Sequence, residues 1–278
     1  MDHEQTGRHH HSEAERPVAP DRGSAPEAVP APLPAPDPTP RHWCAAAARL
    51  LIVAVLLLGV TIGIGLLITR LAPGSDVEKA DTATVQWLAG VRTETLNAVS
   101  GPAAELGNTW VVVGVALTAA LLAIAVLRLW RFALVLAVAL IGELAIFLTT
   151  TAVIDRPRPP VAHLDAQLPP TSSFPSGHTA ASICLYGAIA AVALALTRAW
   201  WRWLVLTLAV LVIVAVAVAR LYRGAHFPTD VLGSILFAVP WLLVTLKLLS
   251  PHTGLPSSDR RAAVGRRTLP HDASAGPT

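Results

Sequence analysis

Two histidines, His178 and His226, are the side chains of this sequence best suited to chemistry. His178 ends the tetrapeptide Pro-Ser-Gly-His, and His226 lies between Arg220 and Asp230 in the pattern Arg-x5-His-x3-Asp. An imidazole can attack phosphorus or transfer a proton, an arginine can hold phosphate oxygens, and a carboxylate can orient the imidazole. Long apolar runs surround these residues. The combination suggests phosphoryl chemistry on a lipid head group at the ends of membrane helices.

A third polar segment, residues 155–160, reads Asp-Arg-Pro-Arg-Pro-Pro and directly follows a long apolar run. Its prolines stop a helix and keep the chain extended at the surface. Arg156 and Arg158 supply planar, forked donors that suit phosphate oxygens. Taken alone, the segment also fits a loop that anchors a helix at the membrane interface.

The sequence around Ser176, Gly177 and His178 opens a further apolar run and predicts a helix N-terminus. Ser176 is placed to cap this helix, and Gly177 lets an anion approach the backbone closely. The free N–H groups and the positive end of the helix dipole then point at that anion, near His178. The alternative is a capped helix with an interfacial histidine.

His226 and Asp230 are four residues apart at the start of another predicted helix, so they can share a face. We expect Asp230 to accept a proton from Nδ1 of His226, which leaves Nε2 free as a nucleophile. Pro228 is tolerated there, because the first turn of a helix loses no intrahelical donor. The alternative is a structural pair that pins the loop.

Composition predicts a membrane protein of the all-α class. Of 278 residues, 53% are hydrophobic and 14% are charged, which is too apolar for an ordinary soluble domain. Uncharged stretches of about twenty residues can each cross the bilayer as a helix. We predict a six-helix transmembrane bundle with spans at 45–71, 103–127, 130–153, 176–197, 200–221 and 228–249. The formal charge of +3 is small, so nucleic acid is not an expected partner.

We divide the chain into a disordered Pro-rich tail at 1–42, a membrane domain at 43–250 and a disordered basic tail at 251–278. Three consecutive histidines at 9–11 could bind a metal, but we interpret them as incidental. Cys44 and Cys184 lie far apart in sequence on predicted helices. We expect them to act as small apolar residues, with no disulfide and no metal pair.

Charge asymmetry predicts the topology. The tight turns at 128–131 and 198–202 carry only basic charge, and the C-terminal tail adds more. The positive-inside rule therefore places both termini in the cytoplasm of a multi-pass cell-membrane protein, with both histidines on the extracytoplasmic side. The polar stretch 76–100 carries an apolar face formed by Trp87, Leu88, Val91 and Leu96. It predicts either an interfacial helix that serves as a lid or a surface loop.

Together, the three segments resemble the type 2 phosphatidic acid phosphatase superfamily. The pattern of that family is Lys-x6-Arg-Pro, then Pro-Ser-Gly-His, then Ser-Arg-x5-His-x3-Asp. This sequence matches it at 158–159, at 175–178, and at Arg220, His226 and Asp230. The resemblance covers roughly residues 75–250. It implies a six-helix membrane fold and hydrolysis of phosphoesters without a metal or another cofactor.

By that resemblance, His226 attacks phosphorus and forms a phosphohistidine, which Asp230 orients and stabilises. His178 protonates the leaving oxygen, and water hydrolyses the intermediate. The phosphoryl oxygens would be held by Arg158, Ser176, Gly177 and Arg220. Such fixed donors suit phosphoryl transfer, because charge spreads over the equatorial oxygens in the transition state.

Two positions depart from the family pattern. Thr151 stands where the family has lysine, and Ala219 stands where it has serine. Thr151 can still donate a hydrogen bond to the phosphate, and Arg156 is a candidate to supply the missing charge. A third residue, Glu143, lies near the middle of the third predicted span, where an ionised carboxylate is costly. We expect Glu143 to have a buried structural partner, and a role in proton relay or in the substrate path is the alternative.

Three functions stay open at this point. The first is a lipid phosphatase that acts at the extracytoplasmic face of the membrane, on an isoprenyl diphosphate or a phosphatidate-type lipid. The second is a phosphotransferase that passes the same phosphoryl group to a lipid or sugar acceptor. The third is a catalytically silent protein that binds lipid phosphates. The length of the lipid and the oligomeric state stay undetermined.

Overall fold

The computed structural model describes residues 40–165, 168 and 171–249. The predicted C-terminal tail, the histidines at 9–11 and all but the last residues of the predicted N-terminal tail lie outside these ranges. The first helix begins at Pro40, slightly before the predicted domain boundary at residue 43.

Within the described residues, the regular structure is helical throughout, which confirms the all-α prediction. The helices are α1 (Pro40–Leu66, continued by a π-helical turn at Leu67–Leu71), α2 (Asp76–Gly90), α3 (Glu94–Glu105), α4 (Thr109–Ala125), α5 (Trp130–Val153), α6 (Gly177–Leu196), α7 (Trp201–Tyr222) and α8 (Pro228–Leu249).

Five helical segments in the described part of the chain are long and apolar enough to cross a membrane: α1 with its π-helical turn, α5, α6, α7 and α8. A sixth span forms if α3 and α4, which meet at a bend of 51°, count as one. The predicted multi-span membrane architecture is therefore confirmed, and the second predicted span corresponds largely to α4 of the bent pair.

The break in that sixth span differs from the prediction. The second span was predicted to begin at residue 103, but α3 continues through Pro102 and ends at Glu105. A new N-terminus forms instead where the Asn108 side chain accepts the Trp110 N–H at 3.0 Å. Gly107 makes this bend possible, because a Cβ atom there would lie 2.9 Å from the carbonyl oxygen of His178.

The core lies between α5, α6 and α8, with α1, α4 and α7 packed around them. Small residues allow close helix contacts, as in other membrane bundles. The ring of Trp241 packs against Gly142, and its Nε1–H donates to the Ala139 carbonyl at 2.9 Å. Apolar side chains of α1, α4 and α7 point outward, where lipid would cover them. Cys44 is exposed and Cys184 is buried, and both are free thiols.

The polar stretch 76–100 forms most of the two helices α2 and α3. Each begins with a side-chain cap, from Ser75 and Thr93. Three of the residues predicted to form the apolar face, Trp87, Val91 and Leu96, point away from the protein. The face of α2 that packs against the protein instead carries Asp81 and Val85, which are 3% and 1% exposed. A buried carboxylate on this helix was not predicted.

Candidate active site

The three predicted segments line one cavity of about 230 Å³. The loop after α5 contributes Arg158, the N-terminus of α6 contributes Gly177 and His178, and the α7–α8 connection contributes Arg220 and His226. The first four N–H groups of an α-helix have no partner within the helix, and α6 begins at Gly177. This end of the cavity therefore combines two imidazoles, two guanidinium groups and a helix N-terminus, which together suit a tetrahedral anion.

Gly177 brings α6 unusually close to α5. A Cβ atom at this position would lie 2.9 Å from the ring of Phe147. Ser176 precedes the helix as predicted, but the prediction that its side chain caps the helix was wrong. Its hydroxyl instead pairs with the Thr179 hydroxyl at 3.0 Å, and its carbonyl accepts from the Ser234 hydroxyl at 2.8 Å.

His226 is almost fully buried, and its Nδ1 lies 2.7 Å from the carbonyl oxygen of Ser173. A carbonyl can only accept, so Nδ1 carries the proton and Nε2 keeps its lone pair. The expected acceptor, Asp230, lies further away, with Oδ2 at 3.6 Å from Nδ1. The tautomer is the one predicted, although a backbone carbonyl makes the shorter contact.

Burial lowers the pKa of His226, whereas the hydrogen bond and charge of Asp230 oppose that shift. The cationic groups of Arg220 and Arg158 lower the pKa of His226 further. All these effects except that of Asp230 favour the neutral imidazole. His226 is thus held in the form that can act as a nucleophile.

Asp230 is fully buried at the start of α8 and has partners on both oxygens. Its Oδ2 accepts the Phe227 N–H at 2.8 Å, which fixes the loop just after His226. Its Oδ1 accepts a short hydrogen bond from Nη1 of Arg156. Because one carboxylate contacts the loop and a buried cation at once, it determines where His226 is held.

Arg156 is buried in a network that extends to α2. Its Nη2 donates to Oδ2 of Asp81 at 2.7 Å, and its Nη1 donates to the Thr229 hydroxyl at 2.7 Å as well as to Asp230. The carboxylate of Asp81 also accepts the Thr229 N–H at 3.1 Å and the Thr229 hydroxyl. The guanidinium group lies 4.4 Å from the centre of the Phe227 ring. Arg156 therefore pairs with two buried carboxylates and does not line the cavity of His178 and His226.

Arg158 and Arg220 do line that cavity. Nη1 of Arg158 donates to the Ala225 carbonyl at 2.9 Å, and burial lowers the pKa of this arginine. Nη1 of Arg220 donates to Asp165 at 2.8 Å, while its buried Nε has no protein partner in the described structure. Arg223 binds the other oxygen of Asp165 at 2.5 Å. One carboxylate thus restrains two arginines beside the cavity.

Two other residues singled out in the sequence behave differently. The hydroxyl of Thr151 donates to the Leu148 carbonyl of its own helix at 3.0 Å, and the residue does not line the cavity. Glu143 does line it, at 3% exposure. The expected structural partner of Glu143 is not found in the described ranges, and its buried Oε1 makes no hydrogen bond there.

Sequence reasoning missed Asp81, Asp165 and the carbonyl of Ser173. Asp81 lies within the polar stretch 76–100, and the available signal was that a buried arginine requires a compensating carboxylate. Asp165 follows the Arg-Pro segment closely, and its nearness to an arginine-rich region was the available signal. The backbone carbonyl carries no sequence signal at all.

Comparisons with known proteins match part of the sequence to a family and the structure to a known fold. A family model described as the PAP2 superfamily matches residues 128–253. Among solved structures, the chain is similar to the first transmembrane PAP2-type phosphatidylglycerolphosphate phosphatase from Bacillus subtilis, with a TM-score of 0.56 and 24% sequence identity. The match covers 74% of this chain and 92% of that one, so the two share a fold. No curated protein sequence gives a significant match.

Proposed function

We propose that this chain, whose residues 128–253 match the PAP2 superfamily model, hydrolyses lipid phosphates through a phosphohistidine at His226. The observation that carries the proposal is the cavity in which His178, His226, Arg158 and Arg220 meet the N-terminus of α6. The fold alone would not distinguish an enzyme from a binding protein. The neutral imidazole with a free Nε2 supports nucleophilic attack.

In the first step, Nε2 of His226 attacks phosphorus, and the bond between phosphorus and the lipid oxygen breaks. His178 donates a proton to that oxygen, which leaves as the lipid alcohol or as a lipid monophosphate. The phosphohistidine carries positive charge on its ring. The Ser173 carbonyl at 2.7 Å and the Asp230 carboxylate at 3.6 Å stabilise that charge.

In the second step, water attacks the phosphohistidine and gives up a proton to His178. The bond from phosphorus to Nε2 breaks, inorganic phosphate leaves and both imidazoles return to their starting states. Arg158, Arg220 and the N–H groups at Gly177 hold the oxygens in both steps. Thr151, Ser176 and Arg156 were also expected to bind phosphate, but none of their side chains lines the cavity, which leaves them outside this set of donors.

The substrate enters from the membrane, because the remaining walls of the cavity are largely apolar. The positive-inside rule supports an extracytoplasmic site and cytoplasmic termini in the cell membrane. Labelling of single cysteines introduced at Arg70 and at Arg198 with an impermeant reagent in intact cells tests this topology, in a Cys44→Ser, Cys184→Ser background. We expect labelling at residue 70, which lies on the side of the cavity, and protection at residue 198.

The function is tested by phosphate release from a panel of lipid monophosphates and diphosphates, with and without a chelator. We expect chelator-insensitive release that His226→Ala abolishes. His163→Ala is the matched control, since His163 is exposed and bonds to the Pro159 carbonyl at 3.2 Å. No release from any lipid would favour a silent binding protein. Label recovered in a second lipid or in a sugar would show phosphotransfer instead.

A further inference from the structure

The cavity that holds the two histidines continues inward to Glu143, which the mechanism does not use. Glu143 lies in α5, near the middle of the span, and is 3% exposed. The walls around this end of the cavity are apolar and include Val112, Val113, Leu140, Leu144 and Ala181. A carboxyl group is therefore the main polar feature at the inner end of an apolar cavity.

The carboxyl of Glu143 has no hydrogen-bond partner among the described residues, and its Oε1 is fully buried. An ionised carboxylate in that setting is costly, so the neutral acid is the stable form. A neutral carboxyl offers one donor and further acceptor sites. Leaving these groups without partners is unfavourable, and a bound ligand can relieve that penalty.

Glu143 lies too deep in the bilayer to serve the phosphate. Phe147 packs against Gly177 at the phosphate end of the cavity. Glu143 precedes Phe147 by four residues, which places it about 6 Å further along the helix axis. Helical side chains lean toward the N-terminus of their helix, which for α5 is the direction away from Gly177. The carboxyl therefore faces the part of a substrate that follows the phosphoester bond.

We propose that Glu143 forms a second subsite that binds an oxygen of the lipid backbone, so that the substrate class is glycerolipid phosphates. A glycerol backbone carries ester carbonyls or hydroxyls within a few bonds of its phosphate, and each can pair with a neutral carboxyl. A polyprenyl chain carries only hydrocarbon there and would leave the carboxyl unpaired. Sites that pair with a substrate oxygen reject analogues that lack it. This inference rests on the proposed lipid phosphatase activity.

The test compares two short-chain monophosphates in detergent, dioctanoyl phosphatidic acid and farnesyl phosphate. We expect the wild type to hydrolyse the glycerolipid with a kcat/KM at least tenfold higher. Glu143→Leu should lower kcat/KM for the glycerolipid about tenfold and leave the farnesyl substrate unchanged or improved. Glu143→Gln keeps a neutral hydrogen-bonding group and should retain the preference.

Thermal stability provides the readout that separates a subsite from a structural role. Because Glu143 has no partner to lose, Glu143→Leu should leave the unfolding temperature unchanged or raise it. A wild type without preference, a uniform loss on both substrates, or a clear loss of stability in Glu143→Leu would overturn the subsite. Absence of hydrolysis of either lipid by the wild type would instead refute the proposed function.

Discussion

Replacing Arg156 by alanine should destabilise the protein and lower kcat, while KM for a lipid phosphate stays unchanged. Arg156 is the shared cation of Asp81 and Asp230, which are 3% and 0% exposed. Its removal leaves two buried carboxylates without that cation. Removing one partner of a buried pair costs about 3–5 kcal/mol. Asp81→Asn should cost less, because Arg156 then still pairs with Asp230.

The kinetic effect follows from the position of Asp230 beside His226, the proposed nucleophile. Asp230 fixes the Phe227 N–H at 2.8 Å and lies 3.6 Å from Nδ1 of His226. A shift of about 1 Å in a reacting group can cost about a hundredfold in rate, so we expect kcat to fall by that order. The arginines that line the cavity are untouched, so phosphate affinity should hold.

Steady-state hydrolysis in detergent gives kcat and KM, and unfolding monitored by size-exclusion chromatography gives the stability. Arg70→Ala is the matched control, because Arg70 is exposed at the end of the π-helical turn. A double-mutant cycle with Asp81→Asn should give a coupling of about 0.5–3 kcal/mol. A raised KM with intact kcat and intact stability, and a larger loss on diphosphates than on monophosphates, would show that Arg156 binds phosphate instead.

Three further outcomes are expected. On the acid side of the pH profile, the midpoint at which kcat/KM falls to half should lie below about pH 6.5. Burial lowers the pKa of His226, so activity is lost only as pH falls through that lowered pKa. A midpoint above about 6.5 would contradict this. Asp165→Asn should weaken the restraint on Arg220, so that inorganic phosphate binds more tightly as an inhibitor. We expect its inhibition constant to fall a few-fold, by about 0.2–1 kcal/mol. Weaker inhibition would instead mean that Asp165 positions the arginine. Gly177→Ala should cost about 1–3 kcal/mol of stability and most activity because its methyl group meets a phenyl ring, whereas Gly114→Ala, with open space around it, should be silent.

The arrangement of the cavity could be predicted because the polar motifs lie at the ends of the apolar runs of helix length. Apolar runs of helix length each ended beside a polar segment, so the segments around His178 and His226 had to meet at one membrane face. Helix ends were less predictable. Pro102 lies inside α3, because the capping group that starts the next helix is Asn108, several residues later.

The network behind the nucleophile could not be predicted from local patterns. Asp81 and Arg156 are 75 residues apart, and His226 meets the Ser173 carbonyl across 53 residues. Such contacts depend on how the helices pack, which no spacing in the sequence records. The same packing places Arg156 against two carboxylates, although its neighbourhood in sequence suggested a phosphate ligand.

The anchoring of α2 by Asp81 has a mechanical consequence. The inner face of this helix is bonded to Thr229 and Arg156, which hold the start of α8, while Trp87 on its outer face is 65% exposed. We therefore expect lateral pressure or thinning of the bilayer that displaces this tryptophan to shift the turn that carries His226. Under the proposed function, the turnover rate should then depend on the physical state of the surrounding lipid.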